Sequence, residues 1–269
     1  MPQEAITVKY NISAPSLKAR LRLALISDIH ERRADDILEL LNKAAPDAIF
    51  IAGDTLERYD SENNRPEPKK KYNPVLAAIY TAVYYLNHFF LNIFAGNNLP
   101  DTDNAYRFLS GAARLAPVFM SLGNHEERLL AQDHEFLERE GITLLDNSDC
   151  LAEIKGETLR IGGLSSVPDE EWLERFSEKE GFKLLLSHHP EKYETLLRDK
   201  PIDLILSGHN HGGQIRLFGR GLVSSGLRLF PRYDRGLFDG RLVVSAGCSN
   251  TAPFPRLGNP REVVIIETV

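Results

Sequence analysis

Residues 21–30 read Leu-Arg-Leu-Ala-Leu-Ile-Ser-Asp-Ile-His, and residues 48–54 read Ala-Ile-Phe-Ile-Ala-Gly-Asp. Each is a short apolar run that stops on a polar residue, which is the pattern of a buried strand. Between them, Asp36 to Lys43 predicts a short amphipathic helix with Ile37, Leu38, Leu40 and Leu41 inward, closed before Pro46. Strand, helix, strand in succession opens an α/β layered fold. Ligands in such folds gather outside the carboxyl ends of the strands. Asp28, His30 and Asp54 stand at those ends.

Outward from this core the same grammar repeats. Residues 5–11 alternate weakly and suit an edge strand. Residues 57–73 are polar, with Arg65, Pro66, Pro68 and Lys69-Lys70-Lys71, and read as a loop. Asn73-Pro74 then caps a helix whose residues Val75 to Phe94 are apolar nearly all round. A helix over Ala105–Leu115 precedes a strand at Pro117–Leu122, which ends on Gly123-Asn124-His125-Glu126. A helix at Leu129–Glu140 is followed by short strands near Ile142–Leu145, Cys150–Ile154 and Leu159–Gly162, then by a helix at Asp169–Glu178. The strand Lys183–Ser187 opens onto His188-His189-Pro190, and Glu191–Arg198 reads as helical. Asp203–Ser207 is a strand that delivers Gly208-His209-Asn210-His211-Gly212-Gly213-Gln214. A Gly/Arg-rich loop over Phe218–Gly240 and two strands, Leu242–Ser245 and Val263–Glu267, complete the chain. The organisation is one domain over residues 1–269, with a loop-plus-helix insertion at about 57–103.

The 269 residues carry a formal net charge of −6 and are 42% hydrophobic, as an ordinary globular protein is. The acidic balance argues against a nucleic-acid partner. Two cysteines, Cys150 and Cys248, show no metal or disulfide spacing. Met1 to Arg20 lacks the apolar core of a signal peptide, which points to the cytoplasm or the periphery of a membrane. A leader or anchor removed upstream would leave no trace.

Six of the eight histidines, at 30, 125, 188, 189, 209 and 211, fall at strand ends. Core or surface histidines have no reason to recur at one structural position. With the carboxylates of Asp28 and Asp54 and the carboxamide of Asn124, they offer oxygen and imidazole ligands without thiolate. That set suits Mn, Fe or Zn ions near one another.

Asp28-x-His30, Gly53-Asp54, Gly123-Asn124-His125-Glu126, His188 and Gly208-His209-Asn210-His211 resemble, in order, the five signatures of the calcineurin-like metallophosphoesterase superfamily. The Gly-Gly-Gln after His211 and the tail from Pro255 to Glu262 resemble a bacterial branch that includes membrane-associated phosphodiesterases and relatives of UDP-2,3-diacylglucosamine pyrophosphatase. The resemblance implies a four-layer αββα sandwich of two mixed β-sheets flanked by helices. It implies that Asp28, His30 and His211 hold one metal ion, that Asn124, His188 and His209 hold a second, and that Asp54 bridges them. His125 would face the substrate rather than bind metal, and His189 would pack behind His188. Glu31-Arg32-Arg33 and Asn210 depart from common family residues and are expected to reshape the substrate cleft.

Two close divalent ions lower the pKa of a shared water, and the hydroxide so formed attacks phosphorus in line. An imidazolium, which gives up a proton near neutral pH, suits His125 as acid for the leaving alkoxide. The expected activity is therefore that of a metal-dependent phosphodiesterase or pyrophosphate-cleaving hydrolase. The phosphoester substrate is expected to include lipid-linked ones. A phosphomonoesterase or protein phosphatase, and a non-catalytic scaffold on the same fold, are the alternatives. Arginines 216, 220, 228, 232 and 235 follow the last motif and are candidates to meet substrate phosphate. The apolar helix at 74–94, about 30 Å long, is either core or a cap whose outer face, with Lys69–Lys71, meets lipid at a membrane surface through residues 69–94.

Overall fold

The structure is a computed structural model that describes residues 4–58, 100–222, 229–249 and 256–269. The apolar helix expected at 74–94, Lys69–Lys71 and all but the ends of the 57–103 insertion lie outside the described residues.

Two six-stranded mixed sheets face each other. The first runs β1 (Ile6–Ile12), β14 (Glu262–Thr268), β2 (Arg22–Ile26), β3 (Ala48–Ala52), β4 (Val118–Ser121) and β5 (Thr143–Leu145). Within it β2, β3, β4 and β5 are parallel, and β14 runs antiparallel to β2. The second runs β12 (Gly236–Phe238), β13 (Leu242–Val244), β9 (Leu204–Ser207), β8 (Phe182–Ser187), β7 (Glu157–Leu164) and β6 (Ser148–Ile154). Its four inner strands are parallel and its two edges antiparallel. A two-stranded ribbon, β10 (Arg216–Leu217) and β11 (Arg220–Gly221), stands apart.

Side chains along a strand point alternately to its two faces, and the core divides accordingly. Leu23, Leu25, Phe50, Leu184, Leu186, Leu204 and Leu206 fill the space between the sheets. Their neighbours Ala24, Ile26, Ile49 and Ile51 turn outward beneath helices α1 (Asp35–Ala44), α2 (Thr102–Ala113) and α3 (Ala131–Arg139). Leu185 and Ile205 turn outward beneath α4 (Glu170–Ser177) with Trp172 and Phe176. This is the expected four-layer sandwich, with both faces of each sheet buried. Asp101 and Asp169 cap α2 and α4 by accepting the backbone N–H of Asp103 and Trp172. Among the described residues no helix is long and apolar enough to cross a membrane.

Two local expectations differ. In place of a helix over Glu191–Arg198 there is a single π-helical turn, Tyr193–Leu197. The Arg241 guanidinium takes the carbonyl oxygens of Arg198, Lys200 and Ile202, which draws the chain away from a helical path. The stretch Phe218–Gly240, expected as loop, contains β11 and β12.

Candidate metal centre

Because β2, β3 and β4 are parallel, as are β8 and β9, their carboxyl ends all open on one rim of the sandwich. Asp28, Asp54, Asn124, His188 and His209 are thereby delivered to one place by local chain direction alone. The turns that carry them are packed tightly against each other. A Cβ on Gly123 would lie 2.0 Å from Asp54 Oδ1, and one on Gly208 would lie 2.6 Å from Ser27 in the opposite sheet. Only glycine lets the two strand ends approach so closely. Five of the seven candidate ligands, Asp28, His30, Asp54, His209 and His211, have positive φ angles between 45° and 71°. Each such residue costs about 1–3 kcal/mol, and strain of this kind concentrates at functional sites.

Six of the seven candidates fall into two groups that meet at one carboxylate. Asp28, His30 and His211 offer donor atoms within 4.8 Å of one another, as do Asp54, His188 and His209. Asp54 Oδ2 lies 3.0 Å from His188 Nε2 and 3.7 Å from His30 Nε2. Asp28 Oδ1 lies 3.5 Å from His211 Nε2, and His209 Nδ1 lies 3.3 Å from His188 Nε2. His125 also reaches this centre, with Nε2 3.8 Å from Asp54 Oδ2 and 27% of its side chain exposed. His189, its ring bonded to Ser166 and facing Glu191, adjoins the centre and forms a further donor group with Glu191 and His209, again within 4.8 Å.

The electrostatics of the centre call for cations. Asp28 and Asp54 are almost fully buried. Burial pushes their carboxyls up, but the surrounding histidines prevail and hold both below the ordinary carboxylate range. Burial disfavours a proton on His30, yet Asp28, Glu57 and Asp54 lift it to about 10. His188 rises to about 9 because Asp54 outweighs the same burial. His209 falls to about 3 and His211 to about 4, with burial the leading cause of both. The buried atoms His30 Nε2, Asn124 Oδ1 and His211 Nδ1 make no hydrogen bond. Buried polar atoms are normally satisfied, so open acceptors and ring nitrogens around two buried carboxylates fit divalent cations. The donor set, two carboxylates, four imidazoles and a carboxamide, suits the metals expected from the sequence.

Five supporting residues were not assigned these roles from the sequence. Glu57 accepts from Nδ1 of His30 and Nδ1 of His125, each at 2.7 Å, and so joins a candidate ligand to the candidate acid. Burial raises its carboxyl, but the two histidines prevail and hold it at about 2. Its place in the β3 turn, three residues after Asp54, was the available signal. Glu126, fully buried, accepts the N–H groups of Asp54, Thr55, Leu56 and Gly123 and ties the β3 turn to the β4 turn. Arg256 and Asn259 both donate to the carbonyl oxygen of His211, which is how the C-terminal tail acts on the centre. Glu191 Oε1 lies 4.0 Å from His209 Nε2, on the side of the ring away from His188.

The two departures from family residues serve the scaffold. Glu31 binds Arg58 and Thr102, and Asn210 donates to the carbonyl oxygen of Tyr233. Of the five arginines that follow, three are engaged by carboxylates: Arg216 by Asp234, Arg232 by Glu194 and Arg235 by Glu262. Arg220 is exposed, and Arg228 lies outside the described residues.

The profile of the calcineurin-like phosphoesterase family matches residues 21–213. The uncharacterized protein YpbG of Bacillus subtilis is 26% identical over 97% of this chain and 85% of its own length. Phosphodiesterase YaeI of Escherichia coli is 32% identical over 40% of this chain and 42% of its own length. An uncharacterized metallophosphoesterase of Aquifex aeolicus is 32% identical over 55% of this chain and 59% of its own length. The matched span runs from β2 to the turn that carries His211 and contains every candidate ligand. A metal-dependent phosphoester hydrolase follows, and the chain belongs to the calcineurin-like phosphoesterase family.

Proposed function

We propose that the chain is a phosphodiesterase or pyrophosphate-cleaving hydrolase with a binuclear centre. Asp28, His30 and His211 hold one ion, Asn124, His188 and His209 the other, and Asp54 serves both. The observation that carries this reading is the position of Asp54 Oδ2, within 3.7 Å of His30 and 3.0 Å of His188, where the two groups of donors meet. When bound, two such ions supply Lewis acidity to phosphoryl oxygens and an activated water.

The chain's own residues do the rest. Asn124 adds a ligand oxygen without negative charge and keeps the centre electrophilic. Glu57 stays ionised across the working pH range, since its carboxyl titrates at about 2. It therefore holds a proton on Nδ1 of His125, and Nε2 becomes the atom that delivers a proton to the leaving oxygen. A diester is favoured over a monoester by the resemblance to one relative, Phosphodiesterase YaeI. A lipid-linked diester is the finer form of this proposal.

The test is a substrate panel on metal-reconstituted protein, with bis-nitrophenyl phosphate, nitrophenyl phosphate, a nucleotide-diphospho-lipid and single-stranded DNA. The proposal expects the first and third to be hydrolysed well above the other two. Preference for the monoester would replace it with a phosphomonoesterase reading.

A further inference from the structure

Outside the metal centre, the exposed large apolar residues among those described are concentrated on one feature. Leu217, Phe218, Leu229, Phe230 and Leu257 are each more than half exposed, and they make up five of the ten exposed large hydrophobics among the described residues. All five sit on neighbouring strands of one small ribbon. Arg216 N–H donates to Leu257 O, Leu222 N–H to Ile215 O and Phe230 N–H to Leu222 O, each at 2.8 Å. The β10–β11 hairpin in the middle pairs Leu217 with Arg220 and turns through Phe218-Gly219.

That turn is unusual. Phe218 and Gly219 both have positive φ, 51° and 81°, the geometry of a two-residue hairpin turn that favours Asn or Gly in its first position. A bulky residue there is strained. Phe218 is also fully exposed, at 104%, so no packing compensates. Phe230 repeats the combination, with φ 52° and 65% exposure. Two strained aromatic residues exposed to solvent on one ribbon have no use in the isolated fold.

Charge identifies the occupant. Residues 215–235 contain five arginines and a single acid, Asp234, in a chain whose net charge is −6. Asp234 is buried against Arg216 and the Gly221 N–H. The exposed rim of the ribbon presents Arg220 and, with it, Arg232, which Glu194 engages from outside the ribbon. We infer that this ribbon docks the protein on an anionic lipid bilayer, with Phe218, Phe230 and the leucines entering the apolar boundary and the arginines meeting headgroups. A second copy fits poorly, because a two-fold contact would set the same arginines against each other. Phe218 is seven residues from His211, so docking brings the metal centre within about 25 Å of the surface. The inference does not depend on the reaction assigned to that centre.

The experiment is co-sedimentation of the metal-loaded full chain with vesicles of equal phosphatidylglycerol and phosphatidylcholine, and of phosphatidylcholine alone. Wild type is expected to sediment with the anionic vesicles and not the neutral ones. Phe218→Asn with Phe230→Asn relieves the strained backbone, so it should fold at least as stably while binding falls tenfold or more. Arg220→Glu should lower binding as well, and the Phe218/Phe230 double variant should hydrolyse a soluble diester at the wild-type rate. Absence of wild-type binding, equal binding to neutral vesicles, or wild-type binding by the double variant would overturn the inference. So would wild-type self-association that the double variant abolishes, which would make the ribbon a contact between copies.

Discussion

Replacing Glu57 by Gln tests whether one carboxylate serves both the metal centre and the acid. The carboxyl is held at about 2 instead of the ordinary 4.5, by His125 and His30 against the cost of burial. That displacement corresponds to about 3 kcal/mol in favour of the ionised form. Both contacts are 2.7 Å long, and losing the outer partner of a ligating or reacting imidazole costs about 10–100-fold in affinity or activity. Glutamine keeps the shape but offers one acceptor oxygen where two ring N–H groups need partners. The variant should therefore bind metal about tenfold more weakly, through His30, and turn over an alkyl diester about tenfold more slowly at saturating metal, through His125. The assay is a Mn titration of initial rates with two substrates, a dialkyl ester and a nitrophenyl ester whose leaving group needs no proton. Restoration of full alkyl-ester activity by excess Mn would show that Glu57 supports only His30. Wild-type affinity and wild-type rates together would refute the reasoning.

Three other outcomes are expected. His125→Ala should keep wild-type metal content yet lose about 10²–10⁴-fold on substrates with poor leaving groups; equal loss on nitrophenyl esters would exclude an acid role. Metal binding should release about two protons per chain below pH 9, because in the ion-free chain His30 and His188 titrate at about 10 and about 9. Affinity for each ion should then rise about tenfold per pH unit up to that point, and calorimetry in two buffers that shows no proton release would contradict it. Phe50→Ala removes a fully buried ring stacked on Phe119 at 5.5 Å between the two sheets. It should cost about 3–5 kcal/mol in a urea titration, and a loss below about 1 kcal/mol would mean that the inter-sheet core is not where stability resides.

The parts of the fold that were legible in the sequence are those with a local signature. The run Ala48–Ala52 matches its strand residue for residue, because alternating burial on both faces of a parallel sheet leaves a continuous apolar run. The gathering of strand-end residues was legible for a related reason, since strand direction carries them to the rim, whereas the choice of seven ligands among them rested on the family resemblance. Glu57 was not legible: a polar residue in a polar turn looks like any surface acid until the turn folds back over His30 and His125. The tail was quoted as a motif, but its purpose depends on a contact across more than forty residues, from Arg256 and Asn259 to the His211 carbonyl. The β12–β13 hairpin carries a local signal, Asp239-Gly240, where both residues take positive φ. The π-helical turn at Tyr193 had none, because the Arg241 guanidinium that holds the chain after it comes from the distant β12–β13 turn.

The account turns on two ions that share one carboxylate. The most direct measurement is the number of Mn ions bound per chain, by elemental analysis of desalted protein, for wild type and Asp54→Ala. The geometry, with Asp54 Oδ2 near both His30 and His188, predicts about two ions for wild type and the loss of both together in the variant. One ion in the wild type, or wild-type content in the Asp54→Ala protein, would contradict it.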